Sequence, residues 1–159
     1  MFGDSLILSM VNQQVFLNES KIRTLKLNLD IVEHTLANYL LSVKGVAEAY
    51  PSDVLKYEDY TDGTFKYLIQ KGYNHVRSGN VAFSYNPAWM VYMNKGTTHG
   101  ASYSYDTHVP VIFYGMGVAK GSSVRKVNVV DIAPTISMLL HMSFPNGTTG
   151  KPLEELFSK

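Results

Sequence analysis

Apolar and polar positions change period several times along this chain. Two short apolar runs, "SLILSMV" and "QVFLN", flank Asn12 and Gln13 and fit a strand pair or one long bent strand. From Asn28 the spacing turns helical. Leu29, Val32, Leu36, Tyr39, Leu40 and Val43 recur on one side, Asn28 is a good N-cap, and Asp30 suits the first turn. Gly45 can take the left-handed conformation beyond the end, so the spacing predicts a helix over 29–44. "GVAEAY" follows as a short strand closed by Pro51. "TFKYLIQKG" predicts a second helix, with Phe65, Leu68 and Ile69 on one side and Gly72 as its stop.

"GNVAFSYN" alternates Val81, Phe83 and Tyr85, the pattern of a half-buried strand. "VPVIFYG" is apolar without interruption, as expected of a central strand covered on both faces. A further alternating run, "VRKVNVV", ends at Asp131, which is placed to cap "IAPTISMLLHM". Pro134 falls in the first turn of that helix, where it displaces no hydrogen bond, and Ile132, Ile136, Leu139 and Leu140 form its apolar side. The tail "FPNGTTGKPLEELF" is rich in turns. Helix and strand alternate, so the class is α/β.

A chain of 159 residues is long enough for one domain with a real core, burying about 68–70% of its unfolded surface. Hydrophobic residues make up 45% and charged residues 17%, and the net charge of +1 creates no field that favours nucleic acid or an anionic membrane. There is no cysteine, so disulfides and thiol nucleophiles are excluded and any metal site must use His, Asp or Glu. The opening residues lack the basic n-region and small-residue cleavage site of a signal peptide. No stretch approaches the roughly 18 apolar residues of a membrane span.

The candidate chemistry lies in "KGTTHGASYSYDTHVPVIFYG", residues 95–115, where small, hydroxylic and aromatic residues surround His99. Neutral imidazole suits zinc, and flanking glycine lets backbone approach an ion closely. The order "GTTHG", "YDTHVP", "FYGMGV", "VVDIAPTISMLL" and "FPNGTTGKPLEEL" resembles the C-terminal part of the alkaline phosphatase superfamily. The likeness is nearest to the branch of phosphodiesterases and nucleotide pyrophosphatases that includes the phosphate-irrepressible bacterial alkaline phosphatases. Its specific motifs run from 95 to 156, and "NQQVFLN" and "VRSGNVAFSYNPAW" extend it over nearly the whole chain.

The resemblance implies the C-terminal portion of an alkaline-phosphatase-like sandwich, with a mixed central sheet flanked by helices. It implies a single unit over 1–159, with the main catalytic part upstream. The parent would be a two-zinc hydrolase of phosphate monoesters that works through a phospho-enzyme and is exported to the periplasm or secreted. Phosphodiester or nucleotide pyrophosphate substrates are the alternative within the superfamily, and a catalytically silent packing or binding module is the alternative for the chain alone. His99 takes the position of a zinc ligand, with Asp106 or a loop carbonyl as acceptor for its second nitrogen. Self-association through the uncovered strand "VPVIFYG" is expected.

Two zinc ions held about 3.5–4 Å apart need about six protein ligands and a nucleophile. The family's adjacent Asp-His pair is absent from this sequence. Asp30 and His34 match its Asp-x-x-x-His pair in spacing only. On the helix over 29–44 they point away from the apolar stripe, and the family's framing residues are missing. Thr97 and Thr98 belong to the histidine loop, whereas the family's nucleophile lies far upstream. His75 and His141 have no acidic or histidine neighbour at ligand spacing, and His108 in "YDTHVP" is expected to hydrogen-bond within its loop. The tyrosines of "SYSYD" suit core or rim packing. No catalytic residue is assigned in this chain.

Overall fold

The computed structural model describes residues 5–61, 63–91, 96, 99–115 and 117–157. Its contacts cluster into two compact units, Met1–Val109 and Pro110–Lys159.

The first unit opens with a hairpin, β1 (Ile7–Val11) and β2 (Gln14–Leu17). Asn12 and Gln13 both take positive φ, 50° and 59°, which is the turn geometry that lets a two-residue loop follow the twist of its strands. A short helix, α1 (Glu19–Thr24), follows under an Asn18 cap. Then comes α2 (Leu29–Leu41), where the Asn28 side chain accepts from Ile31 N–H at 3.1 Å. Gly45 takes φ 98° beyond its end, as the sequence suggests.

After α2 the chain forms β3 (Val46–Pro51), α3 (Ser52–Tyr57), α4 (Phe65–Gly72) and β4 (Val81–Tyr85). The sheet order is β1-β2-β4-β3 and every pairing is antiparallel. The α/β class expected from the sequence is therefore observed, with helices flanking a four-stranded sheet. The central strand is β4 rather than "VPVIFYG". β4 pairs on both edges, and Val81, Phe83 and Ser84 on it are all buried. Residues 109–115 form no strand. Val109, Val111, Ile112 and Tyr114 lie exposed.

One face of the sheet carries the core: Val15, Leu17, Val81 and Phe83 pack with Leu6, Ile22 and the α2 residues Val32, Ala37 and Leu40. The buried side of α2 is rotated from the expected stripe. Tyr39 is exposed, while Glu33 is fully buried. The reason is a polar network inside the core. Glu33 Oε2 accepts from Ser52 N–H at 3.0 Å, and its Oε1 accepts from the Asn80 amide at 2.9 Å. Asn80 Oδ1 in turn accepts from Leu17 N–H at 2.9 Å, and its amide also reaches Glu19 at 3.1 Å. Gly79 fits beside β2 only because it has no Cβ, which would lie 2.7 Å from the Val15 carbonyl oxygen. Gln14 Oε1 accepts the Gly79 N–H at 2.7 Å.

Asp30 and His34 are exposed, as expected of residues on the outer side of α2. His34 nonetheless has a partner, Asp53 of α3, at 2.9 Å. The hydrogen bond to Asp53 raises the His34 pKa above its ordinary 6.5. Partial burial pushes the Asp53 carboxyl up, but hydrogen bonds from His34 and from Val54 N–H outweigh this and hold it below its ordinary 3.8.

In the second unit, the run over 124–130 forms no ladder and ends in a single 3-10 turn, Val129–Asp131, followed by α6 (Ile132–Leu139). Asp131 does not cap α6 with its side chain. It closes a capping box with Asn128, accepting from Asn128 N–H at 2.9 Å, and its other oxygen accepts from Lys151 N–H at 2.9 Å. Those two bonds hold its pKa below the ordinary carboxylate value. Thr135 Oγ1 donates to the Asp131 carbonyl at 2.5 Å and accepts from Leu153 N–H at 3.0 Å. A Cβ on Gly150 would lie 2.1 Å from the Val130 carbonyl oxygen. The motif residues "VVDIAPT" and "TGKPL" thus clasp one another, and their role in this unit is structural.

Removing the buried carboxylate in Glu33→Ala should cost about 3 kcal/mol of unfolding free energy, since Ser52 N–H loses its acceptor and the Asn80 amide loses one of its two; Glu33→Gln, which keeps one acceptor, should cost less. Urea melts of the three proteins measure this, and equal stability of Glu33→Ala and the parent would refute it. The His34–Asp53 pair predicts a pH window. The His34 contribution is complete below pH 6.5 and is lost as pH rises through its raised folded-state value; that of Asp53 is present above 3.8 and is lost as pH falls through its lowered one. Asp53→Asn should flatten the stability profile between these limits by at most about 1 kcal/mol, because both groups are partly solvated.

Candidate functional site around the His99 loop

β4 delivers the chain to the edge of a cavity of about 470 Å³. Ala82, Phe83, Ser84 and Tyr85 of β4 all line it, although Phe83 also belongs to the core and Tyr85 packs against that core. Ser84 is only 4% exposed and its Oγ is buried without a hydrogen-bond partner.

Beyond β4 the chain turns at 86–89, where Ala88 takes φ 63°. Asn86 N–H donates to the Gly45 carbonyl at 2.8 Å, and Trp89 N–H donates to the Asn86 carbonyl at 3.0 Å. The indole of Trp89 lies directly on Gly45, where a Cβ would come within 2.3 Å of a ring carbon. Lys44 Nζ stands 5.9 Å from the same ring. One side of Trp89 is therefore fixed while the side chain remains 46% exposed at the cavity.

His99 is exposed and lines the same cavity, followed by Gly100 at φ 116°. Asp106, on the single turn α5 (Ser104–Thr107), accepts from Ala101 N–H at 2.9 Å. Asp106 was a candidate acceptor for the second His99 nitrogen; the bond it makes to Ala101 anchors the backbone two residues along. Thr97 and Thr98 lie outside the described residues. His75, His108 and His141 are exposed, and none of them lines the cavity.

The tyrosines of "SYSYD" do more than pack a rim. The Tyr103 ring sits between Phe65 of α4, with centroids 4.8 Å apart, and Tyr105, 5.6 Å away and nearly parallel. Tyr103 hydroxyl donates to the Tyr85 carbonyl at 2.9 Å, and Tyr105 hydroxyl accepts from Ala88 N–H at 3.1 Å. Burial raises the Tyr103 pKa, with smaller contributions from Glu48 and Tyr105, so this phenol remains a donor. Closely spaced tyrosines were the sequence signal for this stack; the orphaned serine had none, because an alternating strand does not reveal which of its faces adjoins a cavity.

A single imidazole is one of the four donors that zinc usually takes. Among the described residues, no three His, Asp or Glu side chains are grouped so as to hold a metal ion. The residues described here therefore do not make a metal centre by themselves.

Three curated relatives match nearly the whole chain. Alkaline phosphatase PafA of Elizabethkingia meningoseptica is 34% identical over 160 aligned positions, 99% of this chain and 29% of the relative. A protein of Myroides odoratus named calcium-transporting ATPase is 37% identical over 94% of this chain and 28% of its own length. Alkaline phosphatase PhoV of Synechococcus elongatus is 33% identical over 93% of this chain and 27% of its own length. The crystal structure of wild-type PafA superposes with a TM-score of 0.86 at 33% identity, covering 98% of this chain and 30% of that one. The chain is a homologue of the C-terminal part of the alkaline phosphatases. It spans less than a third of the length of these relatives, and no family model matches it. Among the described residues no helix is long and apolar enough to cross a membrane.

The seat of Trp89 on Gly45 gives a direct check of the site's geometry. Gly45→Ala combines an unfavourable φ with a steric clash, and should cost at least about 1 kcal/mol while lifting the indole into solvent. Trp89 is the only tryptophan, so its emission should shift to the red; an unaltered spectrum in Gly45→Ala would contradict the packing described.

Proposed function

We propose that this chain is the C-terminal portion of a zinc-dependent hydrolase of phosphate monoesters. In the complete fold His99 supplies one imidazole to a two-zinc centre, while the other ligands and the nucleophile lie on sequence outside these 159 residues. The observation that carries the reading is the match over 99% of the chain to an alkaline phosphatase, with His99 on a glycine-flanked loop beside a cavity. Within this chain, Asp106 holds the loop through Ala101 and Gly100 leaves its approach to an ion unobstructed. Neutral imidazole is the form that binds zinc. Export to the periplasm or beyond accords with the same reading.

Hydrolysis of ATP, the activity in the name of the Myroides odoratus relative, is also phosphoryl transfer to water and forms the second reading. Phosphodiester and nucleotide pyrophosphate substrates fall in the same chemical class. Taken alone, the chain is proposed to be catalytically silent, since one histidine cannot align a nucleophile with a leaving group. Its exposed Val109, Val111, Ile112 and Tyr114 favour self-association, and light scattering that finds a clean monomer at high concentration would count against this.

The decisive experiment is a chimaera in which this chain replaces the matching segment of PafA. It should hydrolyse an aryl phosphate with zinc at alkaline pH, and His99→Ala in that chimaera should reduce the rate by at least about 100-fold. An active chimaera indifferent to His99→Ala would overturn the ligand assignment. The isolated chain should show no turnover above buffer. If it does, and His99→Ala abolishes that turnover, then it holds a working centre of its own.

A further inference from the structure

Three separate contacts meet at Tyr103. Its hydroxyl donates to the carbonyl of Tyr85, the last residue of β4, at 2.9 Å. Tyr85 is itself fixed, since it pairs with Val46 of β3 and packs against the core. The Tyr103 ring lies against Phe65 of α4, with centroids 4.8 Å apart. Its carbonyl begins α5, accepting from Asp106 N–H at 2.9 Å, Thr107 N–H at 3.0 Å and Thr107 Oγ1 at 3.1 Å. A helix of one turn is not stable alone, and α5 has no side-chain cap, so it takes its position from the residue that starts it.

Asp106 on that turn holds Ala101 N–H at 2.9 Å. Only Gly100, at φ 116°, separates Ala101 from His99. A continuous line of contacts therefore runs from the end of β4 through Tyr103, α5 and Asp106 to the backbone beside the histidine. A metal ligand has to be held within about 0.5 Å of its productive place, and one carried on a loop reaches that precision only through supporting contacts.

We propose that Tyr103 is the positioning residue of the His99 loop: it fixes α5 against the sheet, and through Asp106 and Ala101 it sets where the imidazole is presented. The use made of the imidazole rests on the zinc-hydrolase reading; the tether does not. Tyr103→Phe is the discriminating variant, because it keeps the ring against Phe65 and removes only the bond to Tyr85. Glu33→Gln is its control, since it weakens the fold at a site away from the loop.

The tether is read first in the 159-residue chain, by amide hydrogen exchange. Tyr103→Phe should speed exchange at Ala101 N–H about fivefold, the scale of one lost neutral hydrogen bond, with a smaller change at Phe83 N–H of β4. Glu33→Gln should do the reverse, speeding Phe83 and sparing Ala101. Exchange at Ala101 that is unchanged in Tyr103→Phe, or that rises only in step with Phe83, overturns the tether.

The consequence for the site is read in the PafA chimaera, as zinc affinity measured by chelator competition. Tyr103→Phe should raise the zinc Kd about tenfold, and saturating zinc should restore most of kcat at an unchanged KM. Glu33→Gln should leave the zinc Kd as it is. A parental zinc Kd in Tyr103→Phe, or a loss of rate that zinc does not restore, overturns the positioning role even where His99→Ala abolishes activity. A chimaera indifferent to His99→Ala instead overturns the ligand reading, while the exchange experiment still decides whether Tyr103 holds the loop.

Discussion

The carboxylate of Glu33, sealed from water within the first unit, is the interaction on which that unit's arrangement turns. A buried charge is tolerated only when its hydrogen bonds are met, and here the two acceptor oxygens face different parts of the chain. Oε2 takes the first N–H of α3, and Oε1 takes the amide of Asn80, just before β4. Asn80 then bonds the end of β2 and the start of α1. Five segments thus share one polar node. The β2–β4 ladder has only two paired positions, so its register depends heavily on this node and on the close fit of Gly79 against Val15. Register matters because a slip of one residue would exchange the faces of β4, taking Val81 and Phe83 out of the core.

Much of this architecture was legible in the sequence. Helical spacing after Asn28, the Thr64-led second helix and the alternation at 81–85 all correspond to observed elements, because each is set by local periodicity and capping. The failures have a common cause. "VPVIFYG" has the composition of a central strand, yet a strand exists only through neighbours, and composition does not supply them. Tyr39 was expected on the buried side of α2 and is exposed for a related reason: a periodicity argument counts hydrophobic residues and cannot foresee that an acid, Glu33, will be drawn inward by amides from distant segments. The short helices α1 and α3 were missed because six residues give too few turns for a period to show.

The histidine loop shows the same division between local and distant information. Motif resemblance placed His99 as a ligand, and the fold brings it to a cavity, but it assembles no group of ligands there among the described residues. The Asp30–His34 spacing, in contrast, carries no metal chemistry because the helix turns both side chains outward and His34 pairs with Asp53 of α3. Spacing that mimics a ligand pair is easily produced on a helix, where any residues at i and i+4 share a face.

The first unit therefore holds two buried polar groups of opposite kinds. The Glu33 carboxylate of α2 is charged, and its bonds are supplied by the chain itself, which gives rigidity. Ser84 Oγ of β4 is a neutral hydroxyl whose bond is left open. A protein under selection for stability alone would gain by replacing that serine with alanine, whose loss of the hydroxyl removes an unmet bond without leaving a void. The Glu33 node shows that this sequence does satisfy buried polar groups where structure requires it. Ser84 is accordingly a local cost in stability, and Ser84→Ala would remove it.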